Sequence, residues 1–219
     1  LKLDGHIDHP VIDVTLAAPN AAMGLAQVRA HLDPTPRGFA FTAAGGSRLG
    51  PFEAAGEILL PPGGTGRIAF ARIDVSGTRG TGALDIVPGG FTGTLTLSGG
   101  GLSGDLLFRP EGDVQRVEAH IDARRARLGG SVTVRQAHLD LVALLDPAGA
   151  VIDASASGFG LGRGKLSISR FSGSAKLRGD TGEIRAQIFG QRGRAFDIQS
   201  VIAIAPDSYR VTAQGSVDR

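Results

Sequence analysis

The residues with the clearest potential for metal chemistry lie at the start of the chain. Asp4, His6 and Asp8 alternate so that they would share one face of a β-strand, and His9 follows directly. Carboxylates and imidazoles are common metal ligands. The same residues would equally form the solvated outer face of a terminal strand, which is the usual place for polar side chains. We therefore expect neither a metal nor a cofactor, and keep His6 and His9 as the alternative.

A glycine-dense run from Gly158 to Lys165 has the look of a phosphate-binding loop. A P-loop would need Gly in place of Phe159 and Ser or Thr in place of Leu166, and a dinucleotide fingerprint would need Gly in place of Arg163. The run is therefore expected to be a turn between strands. The sequence also contains no Cys and no nucleophile elbow, which excludes thiol and α/β-hydrolase chemistry. We expect no enzymatic activity.

Basic residues are numerous but dispersed. The chain has 23 Lys and Arg residues against 21 Asp and Glu residues, for a net charge of +2. The densest basic group is Arg124, Arg125 and Arg127, and acidic residues are interspersed elsewhere. A nucleic-acid-binding protein concentrates its positive charge on one face. We therefore expect no nucleic-acid partner.

The elements that must position any site are predicted to be strands. Apolar residues alternate with polar ones, as in Thr94–Leu97, in 117–122 and in 183–188, which is the period of a half-buried strand. Gly or Pro separates these runs. About fourteen strands are predicted on this basis. The expected fold class is all-β, as one long, curled, one-sided sheet that forms a taco-like groove with an apolar interior.

Two stretches are ambiguous between helix and strand, Asn20–Leu32 and Gln136–Leu145, so one or two short helices remain open. A short motif also occurs twice, as Leu-Asp-Pro ending at Pro34 and again at Pro147. Each copy is expected to be an Asp-Pro turn between two strands. The chain is expected to be a single elongated segment, residues 1–219, with a possible tandem repeat of residues 1–113 and 114–219.

The composition favours an open groove. The chain has 34 Gly, no Trp and one Tyr, yet 42% of its residues are hydrophobic. Glycine can serve at the bends that curl a sheet, and small aliphatic side chains leave space on its concave face. The same residues could instead form the dry core of a sandwich. The residues expected to line the groove are Leu84, Ile86, Leu95, Leu97, Leu106, Phe108, Val117, Ile121, Leu166, Ile168, Ile184, Ile188, Ile198 and Ile202.

Five ordered motifs resemble the TamB family of the AsmA-like superfamily, the bacterial bridge-like lipid-transfer proteins. They are Gly45–Phe52, Asp74–Gly80, Pro88–Gly93, Val114–His120 and Gly193–Asp197. Each motif carries little information alone, and none is a catalytic signature. Their order and spacing over most of the chain carry the resemblance.

The resemblance implies an internal β-rich segment of a longer protein. Such proteins are anchored in the inner membrane, cross the periplasm, and pair with a TamA-like outer-membrane barrel. The segment would then be periplasmic, with its anchor outside this chain, and would carry phospholipid acyl chains along its groove between the inner and outer membranes. The alternative is a scaffold that assembles outer-membrane barrels or autotransporters by strand pairing at a sheet edge.

Overall fold

The computed structural model describes residues 2–6, 9–17, 26–47, 50–128, 131–146 and 148–218. These residues form an all-β structure without a helix. Sixteen strands, two more than the sequence predicts, are joined into one antiparallel sheet. The strands are β1 (Lys2–His6), β2 (His9–Leu16), β3 (Ala26–Thr35), β4 (Gly38–Ser47), β5 (Gly50–Leu59), β6 (Arg67–Val75), β7 (Thr78–Val87), β8 (Gly90–Gly99), β9 (Leu102–Glu111), β10 (Val114–Leu128), β11 (Val132–Leu145), β12 (Val151–Arg163), β13 (Leu166–Arg178), β14 (Thr181–Arg192), β15 (Arg194–Ala205) and β16 (Ser208–Val217).

The order of strands in the sheet is the order in the chain, from β1 at one edge to β16 at the other. Every connection is therefore a hairpin between neighbours. The sheet is long, curled and one-sided, and it does not close on itself, so it has the form of a taco-like groove. Sixteen strands at about 4.8 Å spacing extend over about 70 Å. The hairpin of β9 and β10 joins residues 1–113 to 114–219 within this single sheet.

Both stretches that were ambiguous between helix and strand are strands where they are described. Residues 26–32 lie in β3 and Gln136–Leu145 lies in β11, whereas residues 20–25 are outside the described residues. Within Gln136–Leu145, Ala137, Leu139, Leu141 and Ala143 alternate along the apolar face, which is the period of a strand.

One of the two predicted Asp-Pro turns is wrong. Asp33 and Pro34 lie inside β3, where Pro34 pairs with Phe39, and the turn follows at Pro36 and Arg37. Pro34 is tolerated there because it stands next to the end of its strand.

The second Asp-Pro position is a turn, as predicted. The carboxylate of Asp146 accepts a hydrogen bond of 2.8 Å from the backbone N–H of Ala148, and its carbonyl accepts one from Gly149. This is the Asx-turn geometry that favours Asp at the start of a turn.

The predicted turn over Gly158–Lys165 is also wrong for most of its length. Residues 158–163 continue β12, and only Gly164 and Lys165 form the turn to β13. The run continues as a strand because most of its residues pair with β11 and β13, as Gly158 does with Ala137 and Phe171, whereas Gly160 is an inserted residue.

Candidate functional site

One face of the sheet is apolar from edge to edge. The registers place Ile12 beside Leu32, Leu95 beside Leu106, and Ile184 beside Ile202, so the apolar positions continue from strand to strand. Few of these side chains are fully covered: Leu95 is 6% exposed, Leu84 is 7% exposed, and most others are half-buried. No polar or charged residue among the described residues is buried. The face is therefore a half-open apolar surface without a second layer.

All fourteen residues predicted to line the groove lie on this face. Leu84 and Leu95 are buried, and Ile86 is exposed. The other eleven are half-buried: Leu97, Leu106, Phe108, Val117, Ile121, Leu166, Ile168, Ile184, Ile188, Ile198 and Ile202. The registers confirm only that these residues share a face.

One concavity of the apolar face lies across β11–β14. It is an open trough of about 380 Å³. Three of the predicted groove residues, Ile168, Ile184 and Ile188, are in its wall. The other apolar lining residues are Leu139, Ala154, Ala156, Leu161, Phe171, Gly173, Ala175 and Ala186.

The apolar residues of the first six strands were not predicted to line the groove. The residues that the phenylalanines contact were not predicted either. Phe41 and Phe70 meet edge to face, with ring centroids 5.8 Å apart, and both pair with Gly56 across the strands. A Cβ at Gly56 would lie 3.0 Å from Cε1 of Phe41. The ring therefore covers the bare backbone of the glycine.

The same arrangement recurs along the sheet. Across neighbouring strands, Phe52 lies over Gly45, Phe171 over Gly158, and Phe196 over Gly190, and a Cβ on any of these glycines would lie within 3.0 Å of the ring. An aromatic ring that covers a strand glycine restores the contacts that the missing side chain would make. Phe52, Phe171 and Phe196 thus lie on the apolar face, each beside a glycine of a neighbouring strand.

The opposite face is polar and is crossed by ion pairs. Arg67 donates to Asp85 at 3.0 Å, and Arg79 donates to Asp74 at 3.0 Å. The carboxylate of Glu118 accepts a hydrogen bond of 2.7 Å from Nε of Arg116 and a second hydrogen bond from Arg109. The hydrogen bond from Arg116 lowers the pKa of the Glu118 carboxyl.

Histidines on the polar face bridge carboxylates on neighbouring strands. His31 lies 2.7 Å from Asp13 and 3.2 Å from Asp33 through its two ring nitrogens. The hydrogen bond to Asp13, with help from Asp33, raises the pKa of His31.

A second bridge of this kind lies in β10 and β11. The ring nitrogens of His138 lie 2.9 Å from the carboxylate of Asp122 and 3.0 Å from that of Asp140. Nδ1 of His120 lies 2.6 Å from the carboxylate of the same Asp140. The hydrogen bond to Asp122 raises the pKa of His138, and the bond from His120 lowers that of Asp140.

The metal alternative at the start of the chain concerns side chains that lie outside the described part of the structure. The backbones of His6 and His9 pair in the β1–β2 hairpin, whereas Asp8 lies outside the described residues. In the ranges that the structure covers, no group of three or more His, Cys, Asp or Glu side chains could hold a metal ion. The same ranges contain no helix long and apolar enough to cross a membrane.

Comparisons of the chain with protein-family models, with curated proteins and with solved structures give no match.

Proposed function

We propose that the protein is a non-enzymatic segment that holds lipid acyl chains on its apolar face. The observation that carries the proposal is the continuous apolar face of an open sheet, with a trough at β11–β14. Each CH₂ group of a chain that moves from water onto such a surface gains about 0.8 kcal/mol. Because this gain requires no specific contact, an acyl chain can be held and can also slide.

The geometry suits a phospholipid as the occupant. A dry sandwich core would cover these side chains with a second sheet, whereas here they stay half-buried. In the TamB-like setting that the motifs suggest, the segment would lie in the periplasm and carry phospholipid between the inner and outer membranes. Its partner at the outer membrane would be a TamA-like barrel.

A photo-crosslinking experiment tests the proposal. A photoreactive residue at Leu97, Ile121 or Ile188 on the apolar face is expected to capture phospholipid in cells. Matched positions on the polar face, Thr94 and Gln199, are expected to capture none. Equal capture from both faces, or capture from the polar face alone, would contradict an apolar lipid path.

A transfer assay adds a second test. Ile184→Asp places a charge in the wall of the trough, and Gln187→Asp places one on the opposite face of the same strand. A charge in an apolar environment costs several kcal/mol unless it is paired. We therefore expect Ile184→Asp to slow lipid transfer between vesicles at least tenfold and Gln187→Asp to change it less than twofold. Similar losses in both variants would point to a general effect on the fold.

A further inference from the structure

Four neighbouring strands each carry one extra residue at the same level of the sheet. In β10 and β11 the pairs on either side are Arg124 with Gln136 and Ala126 with Val134, so Arg125 and Arg135 are inserted between them. The insertion continues at Gly160 in β12 and at Ser169 in β13. Aligned bulges bend the strands together and redirect the side chains at the inserted positions.

The bend creates a cleft on the polar face. Its volume is about 890 Å³, and its lining includes six long or aromatic side chains, those of Arg124, Arg125, Arg127, Arg135, Gln136 and Phe159. Ala126, Thr133, Val134 and Gly160 complete the lining, and Ala126 and Val134 are only 1% and 2% exposed. The arginine cleft, as we call these six residues, is therefore built on the best-packed part of the sheet.

The four guanidinium groups of the arginine cleft have no ion pair and no hydrogen bond to any described residue. Elsewhere on the polar face Arg67, Arg79 and Arg116 each bond a carboxylate. Along β10 the closest acidic residue in the chain is Asp122, and its carboxylate is bonded to His138. Four like charges in one cleft repel one another, and a bound anion would offset that repulsion.

Two backbone features mark the inserted positions, and one of them, at Arg125, is strained. Arg125 has φ of 50°, a left-handed conformation that is more favourable for Gly than for any residue with a side chain. At Gly160, with φ of 68°, an added Cβ would lie 2.7 Å from the Cβ of Arg135. A large basic residue thus occupies a position suited to Gly, and a Gly occupies the position next to Arg135. Strain of this kind is a reason to look for function.

We propose that the arginine cleft binds the phosphate group of a phosphate monoester or diester. The guanidinium fork matches the oxygens of phosphate in pairs, and several forks around one site can donate to all the free oxygens of a tetrahedral group. Gln136 supplies a neutral donor, and Phe159, 41% exposed, offers an apolar surface to the rest of the ligand. The proposal stands on the arginine cleft alone and does not require the apolar face to carry acyl chains.

Calorimetric titration of the full chain tests the proposal with three probes. They are inorganic phosphate, glycerol 3-phosphate and dihexanoyl-phosphatidylglycerol below its micellar concentration. We expect saturable binding of one phosphate group, weakened at least tenfold in Arg124→Gln/Arg135→Gln and in Arg125→Gly. The control Arg79→Gln removes one paired charge from the same face and is expected to change the affinity less than twofold.

The choice of Arg125→Gly keeps the test free of a folding artefact, because Gly suits the conformation at that position and the variant is expected to keep the strand signal in circular dichroism. Tighter binding of the lipid than of glycerol 3-phosphate by tenfold or more would identify a lipid headgroup as the source of the phosphate. Equal affinities would identify a free phosphate ester. No saturable binding, or equal weakening in Arg79→Gln, would overturn the proposal, as would a single-stranded oligonucleotide that binds more tightly than all three probes.

Discussion

At the scale of single residues, the protons on two histidines contribute to stability. His31 lies between Asp13 and Asp33, and His138 lies between Asp122 and Asp140, with Ser157 opposite on β12. The carboxylates raise both imidazole pKa values, so the folded chain holds these protons more tightly than the unfolded chain does. The stabilisation is complete below about pH 6.5, the unfolded value, and is lost as the pH rises through the raised pKa values.

We therefore expect the melting temperature to fall when the pH is raised from about 6 to about 8. In His31→Gln/His138→Gln this fall should be reduced, because the groups that release protons are gone. Thermal unfolding followed by circular dichroism at several pH values measures the effect. The same pH dependence in wild type and variant would show that these histidines are not its source.

Asp140 and Glu118 make stability depend on pH in the opposite direction, because their contribution is lost when the pH falls. His120 lowers the pKa of Asp140 and Arg116 lowers that of Glu118, so their contribution is present above about pH 4, the unfolded value, and is lost as the pH falls through the lowered values. The melting temperature is expected to drop below about pH 4, and less so in Asp140→Asn/Glu118→Gln. A steeper acid loss in this variant than in wild type would contradict the assignment.

A second residue-scale prediction concerns the left-handed conformation of Arg125. Replacing this residue by Gly relieves the clash of its Cβ with the backbone, and we expect the free energy of unfolding to rise by up to about 1 kcal/mol. Arg127→Gly, in the regular part of β10, is expected to lower it by about 0.5–1 kcal/mol. Chemical denaturation of both variants measures the difference. Destabilisation of the same size in both would show that Arg125 carries no strain.

At the scale of strands, some glycines stand where the neighbouring strand leaves no space for a side chain. Gly104 in β9 has φ of 154°, and an added Cβ would lie 2.0 Å from the carbonyl oxygen of His120 in β10. Only a backbone shift could relieve this contact. We expect Gly104→Ala to lower the free energy of unfolding by about 3 kcal/mol, through strain and overpacking together.

Gly112 is a matched control for this change. It has φ of 63° in the turn between β9 and β10, and an added Cβ there would meet nothing within 4 Å. Its replacement by Ala is expected to cost about 1 kcal/mol, from the conformation alone. Chemical denaturation of the two variants compares these costs, and an equal cost would show that the close approach at Gly104 is unimportant.

The alternation of residues such as Ile184, Ala186 and Ile188 was sufficient to predict the one-sided sheet, because a period of two defines a face without knowledge of the partner strand. The bulges could not be predicted in this way. An inserted residue such as Arg135 shifts the alternation by one position, and the shift can be recognised only from the neighbouring strand.

The candidate sites show the same limit. The fourteen groove residues could be placed on one face from their spacing, but the cover of Gly158 by Phe171 depends on register. The arginine cleft likewise joins Arg125 to Arg135, which lie on different strands. The sequence showed the cluster of Arg124, Arg125 and Arg127 but not that its charges lack acidic partners.

At the scale of the whole molecule, each inner strand pairs only with its two neighbours in the chain. The longest strands, β10–β13 with 13 to 15 residues each, lie in one block, whereas β16 has a neighbour on one side only. Hydrogen exchange measured by mass spectrometry is therefore expected to show the strongest protection in β10–β13 and the weakest in β16. Uniform protection across the sheet would indicate a single cooperative unit instead.

The agreement between strand order and chain order also has a consequence for how such a protein can change in evolution. A gene that gains or loses the coding sequence of one whole hairpin leaves every remaining strand beside a neighbour that it can pair with. The sheet then becomes longer or shorter by about 10 Å, two strand spacings, while its apolar and polar faces keep their sides. Duplication and deletion of hairpins can therefore change the length of the groove by two strands at a time.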